Sequence, residues 1–255
     1  PGDIPFHAPH ACAELLAAPA PAMADGARDP QQGAPGGTRA VAAEDGSRGS
    51  LVTSSLSLPE QQLVEAMLKR YAARGKAWGI SNAAAMLVHA PSLEILALAG
   101  SADFGDAAIS GQVDGTRALR SPGSTLKPFI YGLALDQGLI HPMTLMIDSP
   151  RSFGGYDPEN FDKGYRGPLP AGEALRTSRN LPAVALAEQL REPDLWEFLQ
   201  RAGLKLPFGR EHYGLALVLG GAEVRMRELA ALYAMLANQG LIGEPVLLRG
   251  ASGDA

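Results

Sequence analysis

Ser124 and Lys127 stand three apart in RSPGSTLKPFIYGLALDQG, a spacing that projects both side chains from one face of a helix, within reach of each other. A serine hydroxyl is inert at neutral pH until a neighbour takes its proton, and a lysine does so once burial or a second cation lowers its pKa. The spacing therefore supports a Ser-Lys nucleophilic pair. Pro128 lacks an N–H and is tolerated without cost only in the first helical turn, so the helix starts close to Ser124 and runs to about Gln137, with Gly138 as its stop. Backbone N–H groups and the positive dipole end at that start favour the oxyanion formed when Ser124 attacks a carbonyl. S-x-x-K is a short pattern, and a capping Ser124 beside a solvated Lys127 is the competing reading.

Ser178 and Asn180, in TSRN, supply the S-x-N pattern that accompanies S-x-x-K, and they fall at a break between two helices. A helix cap ahead of Pro182 is the competing reading there. No metal is implied: His7 and His10 lie in a start without fixed fold, and His89, His141 and His212 are isolated from any ligand cluster. The one cysteine, Cys12, lies in the same Pro/Ala-rich start and forms neither an internal disulfide nor a cysteine metal site.

The elements that must carry these residues follow from pattern. Ala17 to about Ser50 is Ala, Gly, Pro, Asp and Arg with almost no large apolar side chain, a linker or disordered insertion; the apolar residues before it are too few for a domain but can dock on one. PEQQLVEAMLKRYAARG places Leu63, Met67 and Tyr71 four apart on one face, an amphipathic helix with Gly75 just past its end. NAAAMLVHA and LEILALAGS, separated by Pro91 and Ser92, read as two strands joined by a tight turn. Asp148 to Gly172 reads as a long structured loop rather than regular structure. Short helices follow: GEALR, one from Pro182 through Leu190, DLWEFLQRAG capped by Asp194, and VRMRELAALYAMLANQG stopped by Gly240. Net charge is −5 with Lys and Arg scattered, which sets nucleic acid aside as a partner. No apolar run approaches a membrane span, and PGDIPFHAPH lacks the character of a signal peptide; the chain reads as a piece of something longer.

RSPGSTLKPFIYGLAL and GEALRTSRNLPAVALAEQL resemble the corresponding segments of class A penicillin-binding proteins, and GYDPENFDKGYRGPL and YGLALVLGGAEVRMRELAALYAMLANQG resemble the type 1C members, bifunctional glycosyltransferase/transpeptidases. Together they cover most of Leu51 to Gly240. The resemblance implies an α/β (α+β sandwich) fold of the beta-lactamase/transpeptidase type, incomplete because the C-terminal strands of the central sheet are missing. Residues 1–50 would be a largely disordered linker and 51–255 the N-terminal and helical part of the transpeptidase domain. Ser124 would attack the donor stem peptide between its terminal D-alanines, Lys127 would be the base, Ser178 would relay the proton to the leaving amine, and Asn180 would hold the substrate amide. Tyr156 and Asn160, candidate substrate contacts, sit with Phe161 and Asp162 in a loop that in relatives walls the cleft, where a structural role is the stronger reading for all four. Stem peptides ending in D-Ala-D-Ala and beta-lactams are the implied partners, no cofactor is implied, and the parent would be membrane-anchored and face the periplasm. The family's third motif, Lys followed by Thr or Ser and then Gly, does not occur after Lys69, Lys76, Lys127, Lys163 or Lys205. It supplies a carboxylate anchor and leads to one oxyanion donor, so activity of this chain alone is expected to be low. A beta-lactamase or D,D-carboxypeptidase, or a non-catalytic penicillin-binding sensory module, are the alternatives.

Overall fold

The structure, a computed structural model, describes residues 8–17 and 53–248. In chain order its elements are α1 (Pro9–Ala17), α2 (Leu58–Gly75), β1 (Ala85–His89), β2 (Glu94–Ala99), α3 (Lys127–Asp136), β3 (Leu145–Asp148), β4 (Gly167–Pro170), α4 (Ala171–Arg176), α5 (Asn180–Gln189), α6 (Leu195–Arg201), α7 (Arg210–Tyr213) and α8 (Met226–Ala237), with 3₁₀ turns that include Gly123–Leu126 and Gly214–Leu219. The fold is mixed α/β, and the described residues form two two-stranded sheets. The chain divides into two compact units, residues 1–118 with 229–255, and residues 119–228.

In the first unit β1 and β2 form the expected antiparallel hairpin, with Ala85 opposite Ala99 and His89 opposite Glu94. Ile95, Ala97 and Leu98 of β2 are fully buried. The α2 helix forms where its pattern puts it, but with the other face inward: Leu63, Met67 and Tyr71 are each more than half exposed, while Gln61, Leu68, Ala72 and Gly75 are buried. Polar recognition decides this orientation. Gln61 Oε1 accepts from Leu98 N–H at 2.8 Å and its Nε2 donates to Leu98 O at 3.0 Å, so one side-chain amide pairs with the strand as a neighbouring backbone would.

Residues 8–17 are ordered where composition suggested no fixed fold. Cys12 and His10 lie in α1, and His10 is buried. Its Nε2 faces Gly111 O at 3.0 Å and its Nδ1 accepts from Gly100 N–H at 3.3 Å; a carbonyl only accepts and an amide only donates, so the proton sits on Nε2. Ala8 and Ala11 join Ile95, Leu98 and Leu247 in one apolar cluster. The rest of the expected linker lies outside the described residues.

In the second unit α3 is the central helix, packed on α5 and on the 3₁₀ turn Gly214–Leu219; its Ile130 and Ala134 are fully buried, as is Leu126 in the turn just before it. Phe129 stacks on Phe198 of α6 at 5.9 Å between ring centres. Asp194 caps α6 as expected, in a reciprocal box with Glu197. The stretch from Asp148 to Gly172 departs from expectation, because β4 within it pairs with β3, Asp148 opposite Gly167 and Leu145 opposite Pro170. Pro168 and Pro170 read as strand breakers, yet they stand two apart and so share one parity; the ladder takes its N–H donors from Gly167, Leu169 and then Ala171, which donates to Thr144 O at 2.8 Å.

Candidate active site

Ser124 sits in the 3₁₀ turn Gly123–Leu126, which runs straight into α3. Three residues per turn stacks positions i and i+3, so Ser124 and Lys127 leave the same face, and Lys127 N–H closes the turn on Ser124 O. The turn is held from outside. Arg120 pairs with Val224 through two backbone bonds of 3.0 and 2.9 Å. Ser121 Oγ donates to Gly220 O at 2.7 Å and accepts from Gly123 N–H at 3.2 Å. Gly220 has φ +89°, and a Cβ there would overlap the Gly123 nitrogen; only glycine allows the two backbones to approach this closely.

Lys127 is 1% exposed. Its Nζ donates to Ser178 O at 2.7 Å, Asn180 Oδ1 at 2.6 Å and Ser178 Oγ at 3.2 Å. Both sequence patterns thus converge on one amine, although no hydrogen bond joins Lys127 to the exposed Ser124 hydroxyl among the described residues. Burial, helped by the Arg179 charge, lowers the lysine to about 8, so a substantial fraction is uncharged in mildly alkaline solution. As an ammonium, Lys127 uses three donors on three acceptors. As a free amine it keeps two donors and gains a lone pair, which the Ser178 hydroxyl can satisfy by donating instead of accepting. Ser178 is therefore the partner able to pass a proton to or from Lys127.

The α4–α5 junction that presents these groups is unusual. Ser178 has φ +56°, a left-handed conformation that a non-glycine residue adopts only when its surroundings impose it. The residue after it, Arg179, is buried: Nε donates to Asp148 Oδ2 and Nη1 to Asp162 Oδ2, both at 2.8 Å, and Nη2 donates to Gly164 O. Asp148 is fully buried, and its other partners are Asn160 Nδ2 at 2.7 Å and Arg166 N–H at 3.0 Å. Asn160 Oδ1 accepts from Asn180 N–H at 2.8 Å, and Asn180 Nδ2 donates to Glu159 O.

The four loop candidates separate. Asn160 is buried and its amide bonds Asp148, Gly164 and Asn180, so its contacts are those of a residue that holds Asn180 in place. Tyr156 is half-buried, in a backbone bridge with Phe153, and nothing joins it to Lys127. Phe161 is fully exposed, contrary to a structural role, and Asp162 is a partner of Arg179. Sequence reasoning passed over Arg179 and Asp148, which pair across 31 positions, and Ser121 and Gly220, paired across 99; the middle position of S-x-N being an arginine was the one local signal. Among the described residues no group of His, Cys, Asp and Glu could hold a metal ion, and no helix is long and apolar enough to cross a membrane.

The penicillin-binding protein transpeptidase domain matches residues 83–252. Penicillin-binding protein 1C of Escherichia coli (strain K12) is 38% identical over 200 residues, 78% of this chain and 26% of that protein; penicillin-binding protein 1A of the same organism is 29% identical over 182 residues, 67% of this chain and 21% of that protein. The chain thus spans about a quarter of the length of these relatives. Among solved structures, the PonA1 protein from Mycobacterium tuberculosis in complex with penicillin V superposes with a TM-score of 0.63 at 21% identity, covering 77% of this chain and 54% of that one. A peptidoglycan glycosyltransferase from Burkholderia ambifaria gives 0.65 at 23% identity, covering 79% and 66%. The matched segment contains the Ser124 turn, Lys127 and the Ser178–Asn180 junction, and the chain belongs to the penicillin-binding protein transpeptidase domain family.

Proposed function

We propose that residues 51–255 are part of a peptidoglycan D,D-transpeptidase domain of the type 1C kind, facing the periplasm in a membrane-anchored parent, with Ser124 as the acylated nucleophile. The observation that carries the reading is the buried Lys127 amine, held by Ser178 and Asn180 with its pKa lowered to about 8. Ser124 Oγ attacks the carbonyl carbon of the penultimate D-alanine of a stem peptide while its proton passes to Lys127. The peptide C–N bond breaks, Ser178 relays the proton to the leaving D-alanine amine, and an acyl-enzyme remains. An amine from a second stem peptide then attacks the ester, releasing Ser124 and closing the cross-link. Asn180 orients the substrate amide. A beta-lactam acylates the same serine through its strained ring amide.

Within these 255 residues no lysine is followed by Thr-Gly or Ser-Gly, so the test uses the chain and a longer form carrying such a segment. Incubated with a fluorescent penicillin, the longer form is expected to label stably and Ser124→Ala to lose the label. The chain alone should label at least about a hundred-fold more slowly, the usual effect of losing one oxyanion donor. Rapid turnover of the label would indicate a hydrolase instead. No labelling of either form would overturn the reading.

A further inference from the structure

The S-x-N pattern assigns work to its outer residues and none to the one between them, yet Arg179 is the most constrained side chain of the junction. Its fork ends on two carboxylates and a carbonyl, all in the segment 148–164. A guanidinium presents several donors in one rigid plane, so three separate acceptors fix its orientation as well as its position. The neighbouring residues inherit that rigidity. Ser178, immediately before it, is held in a left-handed conformation with its carbonyl on Lys127 Nζ, and Asn180, immediately after it, has its N–H on Asn160.

We infer that Arg179 is a positioning residue for the Ser178–Lys127–Asn180 cluster, clamped by Asp148, Asp162 and Gly164 so that the residues on either side of it receive the Lys127 amine. The inference rests on the reading of Ser124 and Lys127 as nucleophile and base. Arg179 also contributes charge. The amine faces Ser178 and Asn180 from the α4–α5 junction, and behind them stand the charges of Arg179, Asp148 and Asp162. Asp162, by hydrogen bonding, and Asp148 hold the guanidinium above its ordinary pKa, and Arg179 holds the Asp162 carboxyl below its own. The cation therefore persists at every pH at which Lys127 titrates, and repels a proton on the amine.

Two variants of the full chain separate position from charge. Arg179→Lys keeps a cation but presents a point instead of a fork. The double variant Asp148→Asn with Arg179→Met removes both buried charges together, so that neither is left unpaired. Nuclear magnetic resonance of chains labelled with ¹³Cε-lysine reads the Lys127 titration midpoint and the separation of its two Hε resonances, which reports how firmly the amine is held; Lys127→Met assigns the signal. The expected result is a wild-type midpoint near 8 with separate Hε resonances. Arg179→Lys should keep a lowered midpoint while the two resonances merge, and the double variant should merge them and raise the midpoint by about one unit. Folded variants with wild-type midpoint and wild-type separation would overturn the inference. So would global unfolding of Arg179→Lys, seen in the amide spectrum of β1 and β2, which would make Arg179 a general structural residue. None of these readouts requires acylation. Failure of Ser124 to label in either the chain or the longer form would sink the transpeptidase reading and leave the positioning measurement standing, whereas labelling of the longer form with unmoved Lys127 signals would sink the positioning alone.

Discussion

Lys127 is kept in a site where water barely reaches it by three oxygen acceptors, with no carboxylate bonded to it among the described residues. Neutral acceptors compensate a buried ammonium only in part, so the fold disfavours the proton and the pKa falls from 10.5 to about 8. Between those two values the unfolded chain binds more protons at this site than the folded one, and stability contributed by Lys127 therefore rises with pH across that window. Denaturant unfolding compared with Lys127→Met should show wild type gaining up to about 3 kcal/mol relative to the variant from pH 8 to pH 10.5, at 1.36 kcal/mol per unit. A difference that stays flat over that range would contradict the buried, uncharged amine. Of the groups on the Lys127 amine, Ser178 and Asn180 were legible as S-x-N beside S-x-x-K, although each short pattern alone also fits a helix cap. Arg179 and Asp148 were not, because an ion pair formed across 31 residues leaves no periodicity to read.

At the scale of elements, Gln61 shows how a polar contact overrides an apolar stripe. Counting hydrophobic positions on α2 selects Leu63, Met67 and Tyr71, but the face that reaches β2 is the one whose amide pairs with Leu98. Gln61→Met conserves shape and leaves a buried N–H and a buried carbonyl unpaired, which should lower unfolding free energy by roughly 2–4 kcal/mol. Leu63→Ser, on the exposed stripe, should change it by less than about 0.5 kcal/mol; the reverse order would mean that the helix faces the other way. Elements with unmixed local signals were readable: the β1–β2 hairpin from two apolar runs about Pro91 and Ser92, and α6 from the cap residue Asp194. The β3–β4 pair was not, because Gly167, Pro168 and Pro170 carry the composition of a loop, and only the pairing reveals that the ladder needs no N–H at positions 168 and 170.

For the molecule as a whole, the first helix is part of the core of its unit rather than a tether. His10 bridges Gly100 and Gly111, and Ala8 N–H donates to Glu65 Oε1 of α2 at 2.8 Å. His10→Ala removes a buried ring and orphans both of its backbone partners, and should lower the thermal midpoint of the chain by about 5 °C, followed by circular dichroism. An unchanged midpoint would show that α1 adds nothing to the stability of the core. Composition missed this because nine residues are too few to display a pattern, and their partners lie some 90 and 101 positions further on. The prolines of β4 carry a consequence for association. With Gly167, Leu169 and Ala171 turned toward β3, positions 168 and 170 set the outer edge of the strand, which offers carbonyls and no N–H there. A strand arriving from another molecule finds no complementary ladder on that side. Any extension of this sheet, within the chain or between chains, must therefore join at β3.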